Sequence, residues 1–152
     1  KELKRASWIV HRYLIEGTEE PCIYSDEAIA VHRITESMQK REGRRPVDVV
    51  IEFEAIVQDF NVIRFIGHGI KKFDIPRLEK FFDRFSKYED DERFPYLTDT
   101  LEFAKNNFEC DSYSLQNLCA EFEIEHKGAH RALSDCEATL ALLVAMKKEV
   151  HG

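Results

Sequence analysis

Long apolar runs and closely spaced cysteines are both missing from this sequence of 152 residues. No apolar run approaches the roughly 20 residues that span a bilayer, and no signal or transit segment is visible. The absence of any Cys-x-x-Cys pair and the low cysteine density argue against a disulfide scaffold. We therefore predict a cytoplasmic protein with no membrane partner. Its four cysteines are expected to be reduced and mostly buried: Cys22, Cys110, Cys119 and Cys136.

The chain also has fewer positive than negative charges, and its formal net charge is −7. That balance argues against a general-purpose nucleic-acid coat protein, although it allows an enzyme that holds a strand end through metal ions. Hydrophobic residues at 43% and charged residues at 34% are typical of a globular chain, and the length favours one domain over residues 1–152. The chain begins with Lys1 rather than Met, so we expect it to start inside a longer gene product.

The first half of the chain alternates between predicted strands and helices. Residues 8–15 are rich in β-branched and aromatic side chains and predict a strand, and the apolar residues 62–66 predict a buried interior strand. Ser25 is a suitable cap for a short helix, and the apolar spacing after Pro46 predicts a longer one. Residues 39–46 are predicted to be a basic, solvated loop. Its basic residues are Lys40, Arg41, Arg44 and Arg45.

The second half is predicted to be mainly helical. An amphipathic helix begins at about Asp74, Thr98 or Asp99 caps a further helix, and Ser114 caps another. The last helix runs to about residue 150. It is predicted to bury a stripe made of Leu133, Cys136, Leu140, Leu143 and Val144. Few strands, many helices and no internal repeat predict an α/β layer fold.

Two short motifs contain residues suited to phosphodiester chemistry. Asp74 follows a predicted strand and a glycine-containing turn, and open α/β sheets bind ligands beyond the carboxyl ends of their strands. Asp is also a common helix cap, so a purely structural role is the alternative for Asp74. His130 and Asp135 can converge if His130 lies in the turn before the helix that carries Asp135. A surface histidine and an aspartate favoured by the helix dipole are the structural alternative.

The order of these motifs resembles that of the DEDDh 3′–5′ exonucleases, a family that includes the proofreading subunit of bacterial DNA polymerase III. Residues 67–74 read Gly-His-x-x-x-x-Phe-Asp and residues 130–135 read His-x-Ala-x-x-Asp, similar to the second and third motifs of that family. Residues 28–35, 97–101 and 112–119 are similar to it in order and spacing. The resemblance implies a ribonuclease H-like α/β fold, with a mixed central sheet and helices on both faces.

The resemblance also implies an activity, which is the metal-dependent release of nucleoside 5′-monophosphates from a DNA or RNA 3′ end. By resemblance, Asp74 and Asp135 are two of four acidic residues that hold a pair of Mg²⁺ or Mn²⁺ ions, and His130 is the general base. Two ions about 3.5–4 Å apart can stabilise both the attacking and the leaving oxygen of an in-line hydrolysis. A polymerase or another replication or repair protein is the partner protein that the resemblance suggests.

The loop before Asp74 is predicted to contact the substrate. Its candidate contacts are His68, Gly69, Lys71 and Lys72, of which the two lysines are placed to meet phosphates. The family usually has Asn at the position of Gly69. We expect this difference to change how the loop touches the substrate without affecting the metal ligands.

One part of the family pattern is missing from the chain, namely the Asp-x-Glu pair on the opening strand that supplies the other two ligands. Residues 1–7 contain no such pair, and Glu52 and Glu54 stand out of motif order on a helix, where we predict solvent-facing charges. The family's opening strand is central, so its absence would leave apolar edges and unpaired backbone groups. We expect an upstream segment to supply the missing N-terminal strand, and a naturally shortened, inactive relative is the alternative.

Two other functions stay open. A catalytically inactive module with the exonuclease fold would bind nucleic acid or a partner protein without cleaving it. A zinc site could be assembled from Cys110, Cys119, His126 and His130, although Cys110 and Cys119 are not a close pair and core cysteines are the simpler interpretation.

Overall fold

The computed structural model describes residues 4–10, 25–88, 93–128 and 131–152. Within these ranges the chain forms seven α-helices and two β-strands, which confirms the predicted α/β class. None of these helices combines the length and apolar character that a membrane crossing requires. In chain order the elements are α1 (Asp26–His32), α2 (Glu36–Glu42), α3 (Pro46–Asp59), β1 (Arg64–Gly67), α4 (Asp74–Phe85), β2 (Tyr96–Asp99), α5 (Thr100–Asn107), α6 (Leu115–Glu121) and α7 (Ala132–His151).

The two strands form a parallel pair in which Gly67, at the end of β1, lies opposite Asp99, at the end of β2. Both carboxyl ends therefore lie at one edge of the sheet, which is where open α/β sheets bind ligands. β1 is predicted from the sequence, but β2 is not, because its four residues are too few for an alternating pattern to stand out. β1 is also less buried than predicted: Ile63 beside it is 55% exposed and Ile66 is 37% exposed. Among the described strands, β2 is the only one that pairs with β1.

Predicted helix starts are confirmed by their caps. The Oγ atoms of Ser25 and Ser114 each accept an N–H group three residues further on, and the Asp99 carboxylate accepts two N–H groups in the first turn of α5. Pro46 opens α3, where its missing N–H group costs no hydrogen bond, and α4 begins at Asp74. These starts depend on local chemistry alone, which is why the sequence predicts them well.

Two clusters of apolar side chains hold the helices together. The first joins α5, α6 and α7 through the fully buried residues Ala104, Leu118, Leu142 and Met146. The second is aromatic and packs α3 and α4 beside β1 through Phe53, Phe65, Phe82 and Phe94. The helix α7 also packs against β1, so it lies beside the sheet as well as beside α5 and α6.

The buried stripe predicted for α7 is largely wrong. Of the five residues predicted, only Leu143 is fully buried, whereas Leu140 is 54% exposed, Val144 is 49% exposed and Cys136 is exposed as well. The residues of α7 that are buried are Ala138, Thr139, Leu142, Leu143 and Met146. Apolar residues occur around most of this helix, so their spacing could not indicate which side packs on α5 and α6.

The predicted basic loop is mostly helical, because α2 extends through Lys40 and Arg41. Thr35 caps α2, and this cap was not predicted. The prediction of an exposed, charged surface is confirmed, since all four basic side chains form surface ion pairs. Their partners are Glu36, Glu42, Glu52 and Asp48.

The strand predicted at residues 8–15 falls mostly on residues 11–15, which lie outside the described residues. Residues 8 and 9 are not in a strand, and Val10 forms a single parallel bridge with Arg44. The N–H group of Arg44 donates to the carbonyl of Ile9 at 2.8 Å. This contact ties the amino-terminal segment to the turn before α3.

Glu52 and Glu54 face the solvent less than was predicted. Both are partly buried, and Glu52 accepts hydrogen bonds from Trp8 Nε1 at 3.0 Å and from Arg44 Nη1 at 2.6 Å. The carboxylate of Glu54 accepts the Ser86 hydroxyl. The two side chains thus cross-link distant segments, which accounts for them without a catalytic role.

Candidate active site

A tight loop links β1 to α4 and brings Asp74 to the carboxyl edge of the sheet. A Cβ atom at Gly67 would lie 2.7 Å from the Cβ of Ile70, so only glycine allows this close approach. Gly69 has a φ of +74°, and a Cβ there would lie 2.9 Å from Cδ2 of Phe73. Glycine adopts this left-handed conformation readily and Asn tolerates it, so Gly69 meets the same backbone requirement as the Asn expected from the resemblance.

Asp99 fixes this loop from the neighbouring strand. The residue is 8% exposed, and its carboxylate accepts the N–H groups of Gly69 at 2.8 Å and Lys71 at 3.3 Å. The same carboxylate caps α5 by accepting the N–H groups of Leu101 at 3.0 Å and Glu102 at 3.4 Å. One charged acceptor therefore joins the ends of both strands to the start of a helix, and hydrogen bonds to ionised groups are the strong ones.

The imidazole of His68 is turned into the protein. Its Nε2 lies 2.9 Å from the carbonyl oxygen of Tyr113, and its Nδ1 lies 2.9 Å from Oγ1 of Thr100. Burial lowers the pKa of His68 and favours the neutral ring, in which Nε2–H donates to the carbonyl and Nδ1 accepts the hydroxyl. Both ring nitrogens are thus engaged by the protein. A hydrogen bond from His68 to substrate would therefore have to replace one of these two contacts. The predicted substrate contact of His68 stays a prediction.

Asp74 occupies the first turn of α4, directly after the loop. Burial of its carboxylate raises the pKa of Asp74, although the residue as a whole is exposed. The negative charge of Asp99 raises this pKa further, whereas the Arg77 guanidinium and a backbone hydrogen bond oppose the shift. The raised pKa indicates a carboxylate whose charge the surrounding protein compensates only in part, as is common where a cation or substrate binds.

Asp135 occupies the first turn of α7, which begins after the non-helical residue Arg131. Its Oδ1 lies 2.7 Å from Nε2 of His126, whose side chain is only 8% exposed. His126 is in the segment between α6 and α7, nine residues before its partner. The two residues are brought together by the turn at residues 127–128, so the pair could not be inferred from helical spacing.

The negative charges of Asp135 and Asp74 both act on the thiol of Cys136. Burial of the thiol is the first cause that raises the pKa of Cys136, although the residue as a whole is exposed, and these two charges raise it further. The packing of α7 against β1 brings the helix that carries Asp135 to the strand that precedes Asp74.

A divalent cation suits this pair in chemical terms. Carboxylate oxygens are the preferred donors of Mg²⁺ and Mn²⁺, and the partly uncompensated charge of Asp74 would be relieved by one. Among the described residues, however, no group of three or more His, Cys, Asp or Glu side chains is arranged to hold a metal ion. Asp74 and Asp135 would therefore supply at most two donors of a larger set. His130, the predicted general base, lies outside the described residues.

The surface beside Asp74 presents two cations and an aromatic ring. Lys71 pairs with Glu102, which raises the pKa of Lys71 and holds its ammonium group in place. Lys72 is exposed, and its ammonium group has no protein partner in the described part of the chain. Phe73 is 55% exposed although it is apolar. Phe73 is not among the residues predicted to contact the substrate, and the signal that could have identified it is its place directly before Asp74.

The alternative zinc site finds no support in the described residues. Cys119 is buried in the helical core at 1% exposure, and the ring of His126 is engaged elsewhere. Cys110 is half-buried and Cys136 is exposed, so the prediction of mostly buried thiols holds for Cys119 alone among the three that are described. Cys22 lies outside the described residues.

A family model described as an exonuclease, RNase_T, matches residues 17–143, which is most of the chain. The matched range contains Asp74 and Asp135 and the loop between β1 and α4. No curated protein matches the chain.

Proposed function

Because the chain belongs to the exonuclease family and has its ribonuclease H-like α/β fold, we propose that it removes nucleotides one at a time from the 3′ end of a nucleic acid. The products would be nucleoside 5′-monophosphates. The observation that carries this proposal is the placement of Asp74 directly after the loop that follows β1, with Asp135 on α7, the helix that packs against β1. Family membership supports a nuclease in general, and two carboxylates on these neighbouring elements support hydrolysis assisted by divalent cations.

Asp74 and Asp135 would hold Mg²⁺ or Mn²⁺ together with further carboxylates. Such ions, when bound, make water more acidic and stabilise charge on the attacking and leaving oxygens of a phosphodiester. We assign the proton transfer to His130, since a neutral imidazole can accept a proton from water near neutral pH. The role of His130 rests on its position in the third motif.

The loop before Asp74 would bind the end of the strand. Gly69 keeps the backbone open to close approach, and Lys72 offers an uncommitted ammonium group to a phosphate. The exposed ring of Phe73 can stack on a nucleobase, an interaction that any base can make. Lys71 would contribute less, because its ammonium group is already paired with Glu102.

A second candidate is a module that binds nucleic acid without cleaving it. The observation that favours it is the small number of metal donors, since the described residues contain no group of three or more His, Cys, Asp or Glu side chains arranged to hold a metal ion. Such a module would use the same loop and the same exposed ring. The two proposals differ in whether a bound strand is shortened.

The test is an incubation of the full chain with 5′-labelled single-stranded DNA and RNA of the same sequence in the presence of Mn²⁺. We expect a ladder that shortens from the 3′ end, with nucleoside 5′-monophosphates identified by chromatography. Metal ions contribute several kcal/mol to such reactions, and each 1.36 kcal/mol is a factor of ten. Asp74→Asn and Asp135→Asn should each therefore slow cleavage by at least about 100-fold.

Asp83→Asn is the matched control, because Asp83 is an exposed aspartate on the same helix as Asp74. It should leave the rate unchanged. Tight binding of the oligonucleotide without any shortening would favour the non-catalytic module. Internal cuts, 3′-monophosphate products, or full activity in both Asp74→Asn and Asp135→Asn would contradict the proposed function.

A further inference from the structure

His126 is a buried polar side chain with a single described partner. Its Nε2 lies 2.7 Å from Oδ1 of Asp135, and its side chain is 8% exposed. The segment that carries it is bonded at both ends: the N–H group of Ile124 donates to the carbonyl of Cys119 at 2.7 Å, and the hydroxyl of Ser134 donates to the carbonyl of Lys127. The imidazole is therefore held in a fixed place relative to α6 and α7.

The geometry also selects one tautomer of this ring. A nitrogen that lies at hydrogen-bond distance from a carboxylate oxygen must carry the proton, so Nε2 is the donor. The other nitrogen, Nδ1, is buried and has no hydrogen-bond partner among the described residues. A proton there would be a buried donor without an acceptor, which is unfavourable. The neutral ring with hydrogen on Nε2 meets both conditions.

We propose that His126 is a positioning residue, which fixes the carboxylate of Asp135 in the orientation that binds the divalent cation. This inference rests on the proposed function, because it assumes that Asp135 is a metal donor. A metal-binding carboxylate usually has a hydrogen-bond partner behind it, and losing such a partner typically costs 10- to 100-fold in metal affinity. Neither the second nor the third motif includes His126, whose own ring does not bind the ion.

Two substitutions of similar polarity separate positioning from simple packing. In His126→Gln the side-chain amide nitrogen can reach roughly the place of Nε2, whereas in His126→Asn it reaches only the place of Nδ1. Both variants disturb the same buried site, but only Gln can donate to Asp135. We expect Mn²⁺ affinity, measured by calorimetry on the full chain, to fall by about 10- to 100-fold in His126→Asn and to stay near the wild-type value in His126→Gln. Equal Mn²⁺ affinities for the two variants would overturn the proposal.

Two further readouts make the result independent of nuclease activity. Long-range ¹H–¹⁵N NMR of the wild-type protein should show hydrogen on Nε2 of His126, and the signal of that nitrogen should move when Mg²⁺ is added. Hydrogen on Nδ1, or no response to Mg²⁺, would overturn the proposal even if neither variant folds. In the cleavage assay, His126→Asn should raise the Mn²⁺ concentration needed for half-maximal rate and leave the KM for the oligonucleotide unchanged.

The failure of the proposed function is distinguishable from the failure of this inference. If the wild-type protein binds Mn²⁺ but cleaves no oligonucleotide, the proposed function fails, and the Mn²⁺ affinities of the Gln and Asn variants still decide the role of His126. If the wild-type protein cleaves and both variants bind Mn²⁺ equally well, the inference fails alone. If the wild-type protein binds no Mn²⁺, the positioning role is refuted.

Discussion

Replacing Asp99 with Ala tests whether this residue stabilises the loop between β1 and α4 as well as capping α5. Its carboxylate accepts four backbone N–H groups, two in the first turn of α5 and two in the loop between β1 and α4. Loss of a helix cap costs about 1 kcal/mol. Loss of each hydrogen bond from the loop to a charged acceptor costs about 1.5 kcal/mol, at the low end of the usual range because one of them is long. We therefore expect Asp99→Ala to lower the free energy of unfolding by about 4 kcal/mol.

Thermal and urea unfolding, followed by circular dichroism, measure this loss. For a chain of this size, each kcal/mol corresponds to roughly 2–4 °C in Tm, so we expect the Tm of Asp99→Ala to fall by about 8–16 °C. Ser114→Ala is the matched control, since Ser114 caps α6 through one N–H group and should cost only about 1 kcal/mol. Asp99→Asn should lie between the two, because an amide keeps one accepting oxygen.

Activity gives a second measure of how far Asp99 fixes the loop between β1 and α4. Because Asp99 fixes the loop that precedes Asp74, we expect Asp99→Ala to lower kcat when it is assayed well below its Tm, whereas Ser114→Ala should not. If Asp99→Ala costs no more stability than Ser114→Ala and retains full kcat, the two loop hydrogen bonds do not contribute to the free energy of unfolding. Asp99 would then be an ordinary helix cap.

Further predictions concern the same loop. In urea unfolding, Gly69→Ala should lower the free energy of unfolding by about 1–3 kcal/mol, because residue 69 has a positive φ and an added Cβ would contact Phe73. Gly69→Asn should lower the free energy of unfolding by less, and equal losses in the two variants would argue against backbone strain. The raised pKa of Asp74 means that the folded state holds this proton more tightly than the unfolded state does. As the pH rises above about 3.8, the ordinary pKa of the group, ionisation of Asp74 therefore lowers the free energy of unfolding. Asp74→Asn should therefore have a higher Tm than the wild type at pH 7 and no advantage at pH 3, and an equal Tm at pH 7 would contradict the shift. Lys72→Ala should reduce the salt slope of oligonucleotide binding by about 0.7, as measured by fluorescence anisotropy, and Lys71→Ala by less; unchanged slopes in both variants would exclude phosphate contacts there. Phe73→Ala should raise the KM for an oligonucleotide and Phe73→Tyr should not, whereas equal KM values would exclude base stacking.

Features set by local chemistry were predictable from the sequence. The helix starts at Ser25, Asp74 and Ser114 follow from capping and apolar spacing within a few residues. The α/β class and the edge of the sheet where Asp74 lies follow from the order of strands, turns and helices. These predictions needed no knowledge of contacts between distant segments.

Features set by contacts between distant segments were not predictable. The core-facing side of α7 was predicted wrongly, because Leu140 and Leu142 are equally apolar and only the packing of α5 and α6 distinguishes them. The hydrogen bonds that Asp99 accepts from the loop join residues that are 28 and 30 positions apart. The pairing of His126 with Asp135 depends on a turn whose path does not follow from residue spacing.

Paramagnetic NMR can show whether Asp74 and Asp135 bind one divalent-cation centre. Small amounts of Mn²⁺ added to ¹⁵N-labelled protein broaden the amide signals nearest the bound ion. If they do, the amides of Asp74, Asp135 and Cys136 should broaden together and before the other amides. Broadening that instead begins in the acidic groove around Glu109 and Glu121, or that affects Asp74 without Asp135, would contradict a shared centre.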